Sequence, residues 1–268
     1  MSETKTSGPK HTALVTGAST GLGKEIATFA AKDGHDLVLV ARSEAKLKAL
    51  AAELEKDHGV KAHVVPADLG SRGAAKRVYE AVRALGVEVD LLVNNAGFGS
   101  NGAFLDLELE REVEMIDVNI TALVELTHWF AKPMRERKFG RVMNIASTAG
   151  FQPGPFMATY YATKAFVVMW TEALAYELEG SGVTVTCHCP GATKTEFAST
   201  AGNDKSKLFQ RSSGVAEAKD VAHHAYRAMM NGEGLAVHGA LNWIAFESLR
   251  FAPRSVARSI AASLNKPA

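Results

Sequence analysis

The chain has 268 residues, 47% of them hydrophobic, with 30 basic and 29 acidic side chains and a formal charge of +1. This near-neutral balance excludes the basic footprint of a nucleic-acid-binding surface, and the lack of any eighteen-residue apolar run excludes a membrane-spanning helix. The length suits one α/β unit. The polar opening MSETKTSGPK reads as a flexible leader over residues 1–10, not as a secretory signal. Then TALVTG (12–17) predicts a strand and GKEIATFAAKDG a helix ending at Gly34. DLVLVA (36–41) is a second strand, 44–59 a second helix, and KAHVVPAD (61–68) a third strand followed by a helix near 71–85. VDLLVNNAG (89–97) is the fourth strand, and one long helix follows it to about Arg137. GRVMNIAS (140–147), a helix from Ala158, and GVTVTCHC (182–189) complete the regular pattern.

These strands are continuous apolar runs, as expected when helices cover both faces of a sheet. Repetition of βαβ units implies a parallel, doubly wound sheet of about seven strands in one domain, residues 11–268. The polar, weakly periodic segment at about 192–217 directly follows the sixth strand. Ligands bind beyond the carboxyl ends of such strands, so this segment is expected to be a substrate lid; the alternative is a plain surface loop.

The two cysteines, Cys187 and Cys189, alternate along a strand and so share a face. As metal ligands they would need further partners, but His188 points the other way and no Cys/His cluster completes a site. Two reduced core thiols, no metal and a cytoplasmic setting are expected.

TGASTGLG (16–23) stands at the first strand-to-helix junction. Gly17 permits a tight turn, Gly21 lets backbone N–H groups approach a pyrophosphate, and Gly23 lets the helix pack on the sheet. The spacing T-G-x-x-x-G-x-G, together with NNAG (94–97), NIAS ending at Ser147, Y-x-x-x-K within YYATK and PG (190–191), resembles the short-chain dehydrogenase/reductase family across residues 11–239. The resemblance implies a Rossmann-type fold and hydride transfer between a nicotinamide and a carbonyl or secondary alcohol. It implies a catalytic set of Asn119, Ser147, Tyr160 and Lys164. The family's cofactor contacts fall on Gly17, Ser19, Thr20, Gly21, Leu22, Gly23, Arg42, Ser43, Asp68, Leu69, Asn95, Ala96, Gly97, Tyr160, Lys164, Pro190, Gly191, Thr193 and Thr195. In the family the asparagine kinks its helix and holds a water leading to the lysine; otherwise Asn119 is a stray polar residue. A homodimer or homotetramer acting on a small-molecule carbonyl or alcohol is expected.

Of the paired tyrosines, Tyr160 shares a helix face with Lys164 at i, i+4, while Tyr161 is rotated by roughly 100°. Ser147 lies thirteen residues before Tyr160, in agreement with the family pattern. Tyr160 is therefore the expected acid/base and Tyr161 a packing or pocket-wall residue. A phenol titrates near about 10; lowering it by about three units takes about 4 kcal/mol, expected from Lys164 and the positive nicotinamide ring.

The second strand ends with Ala41 and Arg42 where an NAD site carries an acid. Arg42, with Ser43, is a clamp for a 2′-phosphate, so NADP(H) is expected; otherwise Arg42 simply starts the next helix. Phe98, Phe151, Gln152, Pro153, Phe156 and Phe197 are candidate substrate walls, or else core aromatics. Their apolar bias points to a hydrophobic substrate. The tail at 240–268 is dense in apolar and basic residues, with Pro253 separating two short helices. It could cover the cleft, a partner subunit or a lipid interface, and packing beside the lid and an adjacent subunit is expected. The competing function is a dinucleotide-binding regulatory or scaffolding protein without turnover.

Overall fold

The computed structural model describes residues 9–203, 206 and 215–267. Seven parallel strands form one sheet: β1 (Thr12–Thr16), β2 (Asp36–Ala41), β3 (Ala62–Pro66), β4 (Leu91–Asn94), β5 (Gly140–Ile145), β6 (Val183–Cys189) and β9 (Leu235–Val237). Their spatial order is β3-β2-β1-β4-β5-β6-β9. The order reverses between β1 and β4, which pair directly through Ala13–Leu91, Leu14–Leu92 and Val15–Val93. That reversal opens a crevice at the carboxyl ends of the two strands, where open α/β sheets bind ligands.

The apolar strands are explained by their two covered faces. In β2, Leu37 and Leu39 enter one core cluster with Ile26, Leu47, Leu54 and Met229. Val38 and Val40 point the other way, into a cluster with Val78, Leu126, Phe130 and Met134. The first layer is built by α1 (Gly21–Lys32), α2 (Glu44–His58) and α8 (Ala218–Asn231), the second by α3 (Ala74–Ala84), α5 (Ala122–Glu136) and α6 (Ala158–Glu177). Cys187 and Cys189 are buried free thiols on one face, 3.7 Å apart.

Several predicted boundaries move. The third, fourth and fifth strands stop at Pro66, Asn94 and Ile145, so Asp68, Asn95–Gly97 and Ser147 stand on the loops just beyond them. The helix predicted to run on to Arg137 is interrupted: a short turn at Phe104–Asp106 and α4 (Leu109–Ile116) precede a π-helical turn at Asp117–Thr121, and α5 follows. The seventh strand, Leu235–Val237, is only three residues long and gives no periodic signal of its own; it forms by pairing with Cys187–Cys189.

Within the expected lid, β7 (Thr193–Lys194) pairs with β8 (Ala216–Glu217), and α7 (Phe197–Thr200) follows β7. Lid residues 204–205 and 207–214, and leader residues 1–8, lie outside the described residues. Pro253 does divide the tail, into α9 (Ala240–Ser248) and α10 (Arg254–Asn265). No described helix is long and apolar enough to cross a membrane.

Candidate active site

A cleft of about 830 Å³ follows the carboxyl ends of the strands. One end is built on the glycine turn. Gly17 has φ +64°, and a Cβ there would come within 2.7 Å of the Asn95 side-chain nitrogen. Asn95 Nδ2 donates to Thr16 O at 2.9 Å, while the Thr16 hydroxyl accepts from the backbone N–H groups of Asn95 and Ala96. The two loops at the sheet reversal are thereby tied together. Gly23 does not line the cleft; its Cα packs where a Cβ would lie 2.3 Å from Gly17 O, so its work is the close helix approach. The start of α1 has no side-chain cap, so its first N–H groups remain available at the cleft.

The other expected cofactor contacts, from Ser19 through Asp68 and Leu69 to Pro190, Gly191, Thr193 and Thr195, all border this cleft. Arg42 sits at its rim, with a side chain 69% exposed and its Nη1 3.9 Å from Glu114 Oε1. Such a pair is worth at most about 1 kcal/mol and leaves the guanidinium available. Ser43 Oγ also accepts from Lys46 N at 3.4 Å, capping α2. Lys46 lines the same end, 3.5 Å from Glu196. Neither Lys46 nor the two glutamates were singled out in the sequence, because their proximity depends on loops far apart in the chain.

At the opposite end Ser147, Tyr160 and Lys164 meet on one wall. Ser147 leaves β5 in extended conformation, and its hydroxyl accepts from Ala149 N at 3.1 Å. Tyr160 and Lys164 lie one turn apart on α6, and both are buried. Lys164 Nζ donates to Ile145 O at 2.7 Å and lies 5.9 Å from the Tyr160 ring centre. Burial pushes the Tyr160 phenol above its ordinary value, and the nearby Ser147 hydroxyl pulls the other way. Desolvation thus acts against the downward shift expected from Lys164 and the nicotinamide ring together. Desolvation dominates, and it also lowers Lys164 to about 8, with Cys187 and Cys189 pulling upward.

Asn119 does not reach the cleft. It is buried in the π-helical turn, where Nδ2 donates to Phe98 O and Thr163 Oγ1, both at 3.0 Å, and Oδ1 accepts from Phe98 N at 3.1 Å. It clamps the loop after β4 to α6. A Cβ at Gly97 would sit 3.0 Å from Asn119 Oδ1 and 3.5 Å from Lys164 Nζ, so the two polar groups flank the same backbone.

Of the expected substrate walls, Phe98, Gln152 and Phe197 line the cleft and Phe151, Pro153 and Phe156 do not. Phe151 packs beneath the floor, against Phe246 at 4.1 Å between ring centres. Phe156 adopts φ +66°, and its carbonyl accepts from Gly102 N and Asn101 Nδ2. It turns the chain before α6. Met157, Tyr161 and the tail residues Phe246, Leu249, Val256, Ile260 and Leu264 complete the apolar end.

The family described as short chain dehydrogenase matches residues 11–206. The chain belongs to that family. As a short-chain dehydrogenase it is an oxidoreductase, with the doubly wound fold expected from the sequence. It is 35% identical over 222 residues to the ketoacyl reductase HetN of Nostoc sp., covering 82% of this chain and 75% of that protein. A very-long-chain 3-oxoacyl-CoA reductase of Pyrenophora tritici-repentis is 37% identical over 187 residues, 68% of this chain and a little over half, 55%, of that protein. Among solved structures, a short-chain dehydrogenase from Sphingobium yanoikuyae in complex with NADPH superposes with a TM-score of 0.80 at 35% identity, covering 90% of this chain and 94% of that one.

Proposed function

We propose that this short-chain dehydrogenase reduces the carbonyl group of a hydrophobic small molecule with NADPH, Tyr160 serving as the acid. The observation that carries this reading is the convergence of Ser147, Tyr160 and Lys164 on one wall of a cleft whose far end is the glycine turn. The residues there suit a dinucleotide. A positive-φ glycine removes the side chain from the turn, an uncapped helix start offers N–H groups, and Arg42 and Lys46 flank the end of β2, which carries Ala41 and no carboxylate. The Sphingobium relative, crystallised with NADPH, supports the choice of phosphate-bearing cofactor.

When bound, the nicotinamide supplies a hydride to the carbonyl carbon. Tyr160 transfers its hydroxyl proton to the carbonyl oxygen as negative charge develops there. Ser147 donates a hydrogen bond to the same oxygen and stabilises that charge. Lys164, fixed by Ile145 O, keeps a positive charge behind the phenol. Burial keeps this phenol in its protonated form, the form that carries the proton to be given. Relatives named as ketoacyl and 3-oxoacyl-CoA reductases make 3-oxoacyl thioesters the first substrates to try. The two buried thiols accord with a cytoplasmic setting, and a homodimer or homotetramer remains the expected assembly.

The test is turnover of a carbonyl panel with NADPH and NADH, in wild type and Arg42→Ala. Wild type should prefer NADPH, and the variant should raise KM for NADPH about 10–100-fold, the cost of losing a charged hydrogen bond, with little change for NADH. Equal use of both cofactors by wild type would remove the NADP(H) assignment. Cofactor binding with no turnover across the panel would favour a regulatory dinucleotide-binding protein.

A further inference from the structure

The tyrosine beside the proposed acid has a partner of its own. Tyr161 is buried, and its hydroxyl donates to Asn265 Oδ1 at 3.2 Å, across 104 residues of chain. Asn265 is fully buried at 0% exposure, although it ends the last helix. Its Nδ2 donates to Pro155 O at 3.3 Å, and its backbone carbonyl accepts from Asn101 Nδ2 at 2.7 Å. A buried amide is costly unless its groups are partnered, so three bonds from three separate segments define one seated position for this residue.

The helix it ends, α10, is organised around that seat. Ala257, Ala261 and Asn265 recur every fourth residue and form its buried stripe, and Ala261 packs in a cluster with Met157, Tyr160 and Tyr161. The adjoining flank, Val256, Ile260 and Leu264, lines the cleft over about 12 Å of helix. Val256 and Ile260 are nonetheless 48% and 55% exposed. They are half-exposed apolar surface bordering the cleft that Met157, Tyr160, Phe197 and Leu249 also line.

We infer that Asn265 is a positioning residue: by locking the end of α10 onto Tyr161 it holds Val256, Ile260 and Leu264 as a wall for a long apolar chain on the substrate. The inference rests on the proposed placement of the carbonyl beside Tyr160. A short ketone fills only the space at Tyr160, whereas a long one lies along the helix and gains from its being fixed.

The experiment compares wild type, Asn265→Ala and Tyr161→Phe with 2-alkanones of short and long chain. Asn265→Ala should raise KM for the long ketone about ten-fold, as expected for losing a buried hydrogen-bond partner, and leave the short-ketone KM, kcat and NADPH affinity near wild type. Tyr161→Phe, which removes the same bond and keeps the ring, should shift the long-ketone KM in the same direction. A role confined to stability would lower Tm and move both ketones alike, and that result would overturn the inference. Binding of a fluorescent long-chain fatty acid, cis-parinaric acid, gives a readout without turnover and should weaken in parallel. Weakened binding in a protein that reduces no carbonyl would sustain the anchor and remove the proposed reaction. Turnover with unchanged chain-length preference and unchanged fatty-acid binding would remove the anchor alone. If Asn265→Ala does not fold, Asn101→Ala removes the bond to the Asn265 carbonyl, together with the longer one to Phe156 O, and permits the same comparison.

Discussion

Tyr160 and Tyr161 are chemically identical neighbours separated by a rotation about one helix. Tyr160 lies near Ser147, with Lys164 Nζ 5.9 Å from its ring centre; Tyr161 turns away to Asn265. Tyr160→Phe should therefore lower kcat about 10²–10⁴-fold, the span of a general acid, with cofactor binding retained. Tyr161→Phe should cost far less in kcat, because its hydroxyl is engaged in holding a helix. Rapid single-turnover kinetics with both variants check this, and equal impairment or a reversed order would reassign the acid. The i, i+4 relation to Lys164 and the thirteen-residue step from Ser147 are what single out Tyr160 in the sequence. The raised phenol value was not legible, because desolvation depends on what covers a residue and not on which residues adjoin it in sequence.

Within single elements, buried polar groups carry the specificity. On β4 and β5, Asn94 Nδ2 donates to Asn144 Oδ1 and Thr127 Oγ1, and Asn144 Nδ2 to Thr171 Oγ1, a chain from α5 through the sheet to α6. On β6, His188 is buried with Nε2 3.1 Å from His224 Nδ1. Burial first, then the neighbouring His224 and His238, lower its pKa to about 3. An unfolded histidine titrates near about 6.5, so between that value and about 3 the unfolded chain binds the extra proton. The stability contributed by neutral His188 is complete above that window and is lost as pH falls through it. His188→Leu should therefore show a shallower loss of stability on acidification, measured by urea unfolding from about pH 7 to about pH 4. Parallel loss in the two proteins would exclude His188 as a source of acid sensitivity.

For the whole molecule, the tail is the part that joins distant regions. Its inner faces line the cleft through Phe246, Leu249 and the flank of α10. On its outer side Leu241, Trp243, Ile244 and Phe251 are 82%, 53%, 57% and 89% exposed in the single chain. Truncation after Gly239 removes one wall of the cleft and an apolar surface suited to a neighbouring subunit. We expect lower solubility or a disturbed oligomer by light scattering, and a larger rise in KM for large apolar ketones than for small ones. Unchanged assembly together with an unchanged substrate profile would show that the tail does neither.

The sequence by itself determined whatever is encoded at short range. Alternation within DLVLVA sends Leu39 and Val40 into opposite cores, the glycines of TGASTGLG form the phosphate-type turn, and the four-residue step from Tyr160 to Lys164 places both on one face. Each depends on backbone geometry over a few residues, which is why six of the seven strands and the covering of both sheet faces were legible in advance. Tertiary structure decided the rest: the π-helical turn at Asn119, the withdrawal of Phe151 and Phe156 from the cleft, the direction of the Tyr160 shift, and the seat that Tyr161 gives Asn265. These depend on which distant groups meet and which are covered. Burial and pairing energies arise only when segments far apart in the chain are packed together, and no local pattern of residues records them.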